Sequence, residues 1–362
     1  MVNGYRPIDT LAARRRGEEP DPQTWWSRYG ARLHPDQAAG PDATVPPPRT
    51  WMEDGDRSDR HTTAGLSAEE ILRPRPDHPQ HGWRHTVFRA SAGRINPGPG
   101  PHEQHRRELL HRIRIPLVAP HRIAVTSIKG GVGKTTVSTL LGLVMAEHRG
   151  DRVIAVDANP DAGTLADRLT GESAVTVREL LRDLHRIHSW TDISRYTSLA
   201  GRLQVLASEQ DPAAGDAFSR EEYEDICQVL DRFFDIIITD SGTGLVHSAM
   251  AGTLALADSL IVVGAPTVDG AGRASKTLDW LLAHGHETLA AEAVAVLCCD
   301  RSSSEVDRTR IRHHFTARCR AVVEIPHDPH LAAGGQVSLA RLRPATRDAA
   351  YELAALMGDQ FR

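Results

Sequence analysis

The chain has 362 residues, more than one average domain needs, and its formal net charge of −4 excludes a protein that binds polyanions over its whole surface. No apolar run approaches the roughly 18 residues of a membrane span, and the N-terminus lacks the apolar core of a signal peptide. The four cysteines show no metal-binding spacing. This use of cysteine is typical of proteins in a reducing compartment, so we expect a cytoplasmic protein.

Residues 1–80 differ in composition from the rest of the chain. Most of the 22 prolines precede residue 121, and apolar residues in this segment are sparse and aperiodic. Such a segment buries too little apolar surface to offset the entropy lost on ordering, so we predict a disordered, Pro-rich extension. Trp25, Trp26 and Trp51 are either incidental aromatics or short anchors for a partner or for the chain's own folded domain.

Residues 81–120 are predicted to be an adaptor that leads into the folded domain. Apolar and turn residues mix over 81–100, which predicts a short hairpin or an irregular patch. Residues 101–116 predict a short basic helix with Leu109, Leu110 and Ile113 on one face. A helix lying on a membrane surface is the alternative, but the segment is short and its apolar face narrow.

Apolar, β-branched segments alternate with helical patterns throughout residues 121–362. The predicted strands are residues 123–127, 152–156, 203–207, 235–239, 259–263, 294–299 and 321–325, and the clearest helices are 135–148, 221–233, 246–257, 272–284 and 345–357. Nearly continuous apolar strands are typical of a parallel sheet covered on both faces. The fold class is therefore α/β, a doubly wound, mostly parallel sheet, with ligands beyond the carboxyl ends of its strands.

A glycine-rich turn follows the first predicted strand and leads into an apolar helix. Glycines let several backbone N–H groups face one point, and such a nest at a helix N-terminus holds a phosphate. Lys134 would add charge for the β- and γ-phosphates, and the Thr135 hydroxyl is placed to bind Mg²⁺. The residues predicted to bind the nucleotide here are Gly130, Gly131, Val132, Gly133, Lys134, Thr135 and Thr136.

Lys129 directly precedes these glycines, while Ile128 holds the position at which the usual P-loop has its first glycine. Two of the few lysines in the chain lie in this turn, although arginine serves elsewhere, which indicates a need for a compact point charge. The stretch KGGVGKT resembles the deviant Walker A motif of the ParA/MinD family of P-loop ATPases. The resemblance implies an ATP-dependent homodimer in which Lys129 reaches the partner's phosphates and takes part in catalysis.

The second predicted strand ends in the sequence DANPD, at Asp157–Asp161. By resemblance, Asp157 lies near Mg²⁺ or its waters. The family usually has a second aspartate, which polarises the attacking water, where this chain has Asn159. Asn159 cannot act as a base, so hydrolysis should be slow unless Asp161 replaces it. An Asx-Pro turn that only caps the next helix is the structural alternative.

An apolar strand ends at Asp240, a pattern that resembles the Walker B motif and predicts a carboxylate that holds Mg²⁺ through water. The small residues 241–244 would form switch II. Two later loops resemble the adenine-binding loops of the family. Asp300 stands where the family often has asparagine, and Pro326 begins the loop that wraps the adenine in relatives. A simple loop turn is the alternative for these side chains.

Residues 308–320 carry five arginines on a helical run. The run is either a solvated face or a surface for DNA or an acidic partner. Residues 347–361 lack the basic face and bulky apolar edge of a MinD-type membrane anchor, which predicts a packing helix that ends the domain.

The resemblance as a whole implies a dimeric, ATP- and Mg²⁺-dependent ATPase switch. Residues 82–84 and the basic helix also look like the segment that precedes the ATPase domain in actinobacterial MinD-like proteins associated with type VII secretion. We therefore expect an accessory ATPase of such a system, with residues 1–80 recruiting a protein partner from the secretion machinery. The alternatives are a ParA-like partitioning ATPase that binds DNA non-specifically and a nucleotide-gated scaffold with negligible hydrolysis.

Overall fold

The structure is a computed structural model that describes residues 78–79, 82–159, 163–171, 175–208, 219–242, 248–299 and 305–361. These residues belong to one compact unit, Arg75–Arg362. The predictions for residues 1–77, for Asp161 and Asp300, and for the end of switch II at 243–244 lie outside the described residues.

Eight strands form one sheet at the centre of the described part of the chain. In chain order they are β1 (His121–Thr126), β2 (Val153–Ala158), β3 (Ser198–Ala200), β4 (Leu203–Leu206), β5 (Ile236–Ser241), β6 (Ser259–Gly264), β7 (Val294–Cys299) and β8 (Ala321–Pro326). The spatial order is β3-β4-β2-β5-β1-β6-β7-β8. Every neighbouring pair is parallel except β3 and β4, which are antiparallel at one edge.

Helices precede the sheet and connect its strands. In chain order they are α1 (Gly82–Ala90), α2 (Pro101–Ile113), α3 (Lys134–His148), α4 (Leu165–Leu169), α5 (Val177–Asp183), α6 (Trp190–Ser194), α7 (Arg220–Leu230), α8 (Ser248–Leu256), α9 (Val268–Ala283), α10 (Glu287–Ala291), α11 (Arg308–Thr316), α12 (Pro329–Ala332) and α13 (Pro344–Gly358), with 3₁₀ turns at Leu184–Arg186 and Leu339–Arg341. Among the described residues, no helix is both long and apolar enough to cross a membrane.

Alternate residues of β1 pack on opposite faces of the sheet. Ile123 and Val125 belong to a core cluster shared with α3 and α13, whereas Ala124 belongs to a second cluster shared with α8 and α9. Coverage on both faces explains why the central strands are apolar along their whole length. The prediction of a doubly wound sheet is confirmed, and every predicted strand is present with its ends within two residues of the expected positions.

The prediction of a hairpin or irregular patch is wrong for residues 82–90, which form helix α1, whereas residues 91–100 contain only turns and irregular structure. The turn residues that suggested a hairpin end this helix instead: Gly93 has a φ of +80°, and its N–H donates to the Phe88 carbonyl at 2.9 Å. Strand β3 was missed as well. Its three residues pair with only one strand, β4, at the sheet edge. So short a segment shows no detectable alternation of apolar and polar residues.

The predicted basic helix is confirmed as α2, and it packs on α13. Leu109 and Ile113 are buried in the same core cluster as β1, so they are not available to a membrane surface. Arg112 donates to both carboxylate oxygens of Asp359 at 3.1 and 2.7 Å. A Cβ on Gly358 would lie 2.4 Å from the Arg112 carbonyl oxygen, which shows how closely the two helices approach. The prediction that the C-terminal run is a packing helix is confirmed too, since α13 is buried along one face.

Candidate functional site

A cavity of about 450 Å³ lies at the carboxyl edge of the sheet, where the predicted phosphate-binding turn leaves β1. Its lining residues come from four stretches, 129–136, 265–267, 298–299 and 325–332. They therefore include the turn itself, the end of β7 and the loops after β6 and β8. The position agrees with the rule that ligands of doubly wound sheets bind beyond the ends of the strands.

Gly133 shows why the turn needs glycine. Its φ of +99° is in the left-handed region, and an added Cβ would lie 2.8 Å from the Cys298 Sγ. Gly131 also has a positive φ, of +72°. Helix α3 begins directly after Gly133, so the backbone N–H groups of its first turn have no partner within the helix. This backbone conformation is the one expected of a nest for an anion.

Lys134 lies at the start of α3 with 8% of its surface exposed. Burial lowers the pKa of its ammonium, although the charges of Asp240 and Asp157 act in the opposite direction. Within the described residues, neither carboxylate comes close enough to form an ion pair with it. A buried ammonium of this kind is a favourable place for a phosphate oxygen.

Asp157 and Asp240 are direct neighbours in the register of the parallel strands β2 and β5. Burial and the Asp240 charge raise the pKa of Asp157, and burial raises that of Asp240 despite its hydrogen bond from Thr135. The Ser138 hydroxyl donates to Asp240 Oδ1 at 3.0 Å. The structure thus brings Thr135, Asp157 and Asp240 together, and a divalent cation there would relieve the repulsion between the carboxylates.

These three side chains suit Mg²⁺ better than a metal that needs a full set of protein ligands. Among the described residues, no group of three or more His, Cys, Asp or Glu side chains could hold a metal ion. Mg²⁺ commonly takes one or two carboxylates and completes its shell with water and substrate phosphates. The Thr135 hydroxyl and the carboxylates of Asp157 and Asp240 fit that pattern.

Asp157 also fixes the chain that follows β2. Its two oxygens accept from the N–H groups of Asn159 at 3.1 Å and Leu165 at 3.0 Å. Gly163 passes so close that an added Cβ would lie 2.0 Å from Asp157 Oδ2. Asp157 itself closes an Asx turn with Asn159 beside the acidic pair, whereas the Asx-Pro turn that we considered as an alternative involves Pro160, which lies outside the described residues. Gly163 was a signal in the sequence that we missed, and Asp161 lies outside the described residues.

Lys129 lies on the rim of the cavity, with 37% of its side chain exposed. Its backbone N–H donates to the Ser127 hydroxyl at 3.2 Å, and its ammonium forms an ion pair with Asp269 in the first turn of α9. Arg273 donates to the other oxygen of the same carboxylate at 3.3 Å. Hydrogen bonds from Lys129 and Arg273 hold the pKa of Asp269 below its usual value. No pattern in the sequence indicated this acidic partner.

The side of the cavity predicted to hold the base is formed by loops after the later strands. Pro326 lines it, as do Cys298 and Cys299 at the end of β7. Asp328 accepts from the N–H groups of His330 at 2.9 Å and Arg343 at 2.8 Å, which fixes the loop that contains α12. The predicted contact of Asp300 with adenine lies outside the described residues.

The arginines of residues 308–320 mostly pair with carboxylates of the same unit. Arg308 and Arg312 contact Glu324, Arg318 contacts Asp279, and Arg320 contacts Glu292. Such pairs offset most of the positive charge of the run, and weaken the case for a DNA-binding surface there.

Residues 123–279 match the sequence model of the CobQ/CobB/MinD/ParA nucleotide binding domain. The chain is also 33% identical, over 368 residues, to the ESX-1 secretion-associated protein EspI of Mycobacterium tuberculosis (strain ATCC 25618 / H37Rv), with 94% of this chain and 55% of that protein covered. The chain therefore spans about half the length of this curated relative.

Solved structures show the same fold. A ParA family ATPase from Chlorobium tepidum TLS aligns with a TM-score of 0.56 at 19% identity, over 65% of this chain and 98% of that one. The septum site-determining protein MinD from Pyrococcus horikoshii OT3, complexed with Mg-ADP, aligns with a TM-score of 0.52 at 21% identity, over 65% of this chain and 94% of that one. The fold of the described unit is the ParA/MinD P-loop fold.

Proposed function

We propose that the chain is an ATP-dependent switch of the MinD/ParA type, because residues 123–279 match the CobQ/CobB/MinD/ParA nucleotide binding domain. The observation that carries the proposal is the buried Lys134 ammonium, which lies at the phosphate-binding turn without an ion-pair partner among the described residues. The MinD relative complexed with Mg-ADP supports the choice of ligand.

In this proposal, the backbone N–H groups of residues 130–136 and the Lys134 ammonium bind the phosphates. Thr135, Asp157 and Asp240 hold Mg²⁺, which supplies further positive charge to the phosphate oxygens. Pro326 and the loop after β8 enclose the base. Catalysis then consists of positioning and charge neutralisation, in which the protein contributes groups that are already in place.

Dimerisation adds Lys129 to the partner's site. In the structure of the single chain, Lys129 pairs with Asp269 on its own surface. It must leave that carboxylate to reach the phosphates of a second copy. Two ATP-bound copies would then pair face to face, and hydrolysis would release them.

Hydrolysis is expected to be slow, because Asn159 stands in the position of the water-polarising aspartate. Its backbone N–H donates to Asp157, so the residue helps to shape the turn whatever its part in catalysis. A nucleotide-gated scaffold with negligible turnover is the second candidate function, and Asn159 is the observation that favours it.

We further propose that this switch serves a type VII secretion system from the cytoplasmic side. The support is the likeness to EspI, which is named as ESX-1 secretion-associated and matches across nearly the whole of this chain. Residues 1–80 would recruit the protein partner, with the tryptophan-containing stretches as anchors. A ParA-like partitioning function with non-specific DNA binding is less supported, because four of the five arginines that would contact DNA already have acidic partners.

Two experiments test these proposals. Binding of fluorescent ATP and ADP, with and without Mg²⁺, tests the switch, and failure of the wild-type chain to bind either nucleotide would refute it.

Affinity capture with the ATP-locked dimer tests the partner. Deleting residues 1–80 should leave nucleotide binding intact and remove the captured protein. Arg310→Glu, which breaks no ion pair among the described residues, should leave capture unchanged, whereas loss of a salt-sensitive association with duplex DNA in this variant would favour partitioning.

A further inference from the structure

Arg168, in the short helix α4, is a buried cation outside the residues assigned to the site so far. Only 9% of its surface is exposed. Within the described residues it forms no ion pair with a carboxylate, whereas the other strongly buried arginine, Arg149, pairs with Asp151. Burial lowers the pKa of the Arg168 guanidinium, yet arginine stays charged in proteins, so the positive charge is retained.

The guanidinium joins two walls of the cavity. Nη2 donates to the Thr136 hydroxyl at 3.2 Å and to the Leu331 carbonyl at 3.1 Å. Nη1 donates to the Gly335 carbonyl at 3.3 Å. Thr136 belongs to the phosphate-binding turn and helix start, and Leu331 belongs to the loop after β8, and both line the cavity. One side chain therefore spans from the phosphate side of the cavity to the side predicted to hold the base.

A buried charge without an opposite charge is costly, and hydrogen bonds to neutral carbonyls offset that cost only in part. An anion that is not part of the described chain would balance the Arg168 charge and offset this cost. The cavity that Thr136 and Leu331 line offers space for an anion beside these contacts. A nucleotide there would bring several negative charges into a region of low dielectric, where charges interact more strongly than in water.

We propose that Arg168 is a positioning residue for the nucleotide, which holds Thr136 and the loop after β8 around the ligand and balances the phosphate charge from behind the cavity wall. This inference rests on the proposed nucleotide binding and adds a specific residue to it. Arg168 acts through Thr136 and Leu331 and is not placed in contact with the nucleotide.

The rival interpretation is that Arg168 is only a structural link between α4 and the loop. The backbone already makes such a link, because the Val337 N–H donates to the Arg168 carbonyl at 2.8 Å, and that bond survives any change of side chain. The two interpretations differ in what they predict for the protein without ligand. A structural link stabilises the empty and the loaded protein alike, whereas a charge that awaits an anion stabilises only the loaded one.

The test compares Arg168→Met, which keeps the length and loses the charge, with Arg168→Lys, which keeps the charge and loses the planar fork. Melting of the full chain is followed without ligand and with saturating MgADP, and the affinities for ADP and adenosine are measured by competition against a fluorescent nucleotide. We expect Arg168→Met to melt no lower than wild type without ligand and to bind ADP roughly 10- to 100-fold more weakly. The affinity for adenosine, which has no phosphate, should fall by less than about threefold, because the Arg168 charge has no phosphate to interact with. Arg168→Lys should recover part of the ADP affinity.

A double-mutant cycle with Thr136→Val tests the contact itself. If Arg168 acts through the Thr136 hydroxyl, the combined loss of ADP affinity should be clearly smaller than the product of the two single losses. Multiplicative losses would overturn that part of the proposal. Should Arg168→Met fail to fold, Arg168→Gln, which still offers donors to the carbonyls, takes its place in every comparison.

The proposal is overturned if Arg168→Met weakens ADP and adenosine binding equally, or if Arg168→Lys binds ADP as weakly as Arg168→Met does. It is also overturned if the loss of ADP affinity is explained by a lower melting temperature of the protein without ligand. These outcomes all presuppose that the wild-type chain binds ADP and that Lys134→Ala binds it more weakly. Absence of nucleotide binding by wild type would instead refute the proposed function itself.

Discussion

Lys129 and Asp269 form an ion pair at the rim of the cavity, although 140 residues separate them in the chain. Because the same carboxylate also accepts from Arg273, Asp269 carries two cations in the single chain. In the proposed dimer Lys129 must contact the other copy's phosphates instead. The pair at the rim would therefore compete with the proposed dimerisation.

Asp269→Ala should promote the ATP-dependent dimer. Freed from its partner, Lys129 no longer has to break an ion pair before it crosses the interface. Since exposed ion pairs contribute little, we expect dimers to form at protein concentrations lower by up to about fivefold. Light scattering with a non-hydrolysable ATP analogue measures this.

Lys129→Ala should bind ATP as a monomer but form no such dimer, and normal dimers of that variant would contradict its role in the partner's site.

Lys134→Ala should lose nucleotide affinity without losing stability. The ammonium is buried and has no ion pair among the described residues, so its removal costs the empty protein little. Loss of a charge-assisted contact to phosphate should weaken ADP binding by roughly 10- to 100-fold. Lys276→Ala is the matched control, since this lysine lies exposed on α9. Equal affinity of the two variants in a fluorescence titration would refute the assignment of the phosphate-binding turn.

Asp157→Asn should abolish much of the effect of Mg²⁺ on nucleotide affinity. The variant removes one of two adjacent carboxylates, and with it a negative charge that the cation would offset. The measurement is the ratio of ADP affinities in Mg²⁺ and in EDTA, which should fall toward one. Asp235→Asn, at the opposite end of β5, is the control and should keep the wild-type ratio. If the wild-type protein binds ADP equally well in EDTA and in Mg²⁺, the metal assignment is contradicted.

Asn159→Asp should raise the rate of ATP hydrolysis, because it restores a carboxylate where the family usually has one. If Asp161 substitutes in the wild type, Asp161→Asn should abolish the residual rate. Phosphate release by the purified protein at saturating ATP measures both changes. Rapid turnover by the wild type, unaffected by Asp161→Asn, would exclude the hypothesis of a slow switch.

The sequence predicted those parts of the site that depend on short, contiguous patterns. Lys134 and Thr135 follow a glycine turn, and Asp157 and Asp240 each end an apolar strand. The rule that parallel strands end at one edge was enough to bring these residues together. The predicted strands were correct for a similar reason, since each is a nearly continuous apolar run.

The parts that the sequence did not predict depend on contacts between distant segments. Nothing near Arg168 in the chain indicates that it meets Thr136 and Leu331, and nothing near Asp269 indicates Lys129. The error in α1 has a local cause, because a glycine that ends a helix and a glycine in a hairpin turn look alike in a sequence. Such residues become visible only once the chain is folded.

The close packing of α2 on α13 bears on where a working fragment of this protein can begin. A fragment cut at residue 121, just before β1, would keep every residue of the phosphate-binding turn. It would also uncover the face of α13 that Leu109 and Ile113 now shield, and leave Asp359 without Arg112. Such a fragment should aggregate or melt early for reasons unrelated to nucleotide. The smallest fragment suitable for biochemical work therefore has to begin before Pro101, about twenty residues ahead of the first strand of the sheet.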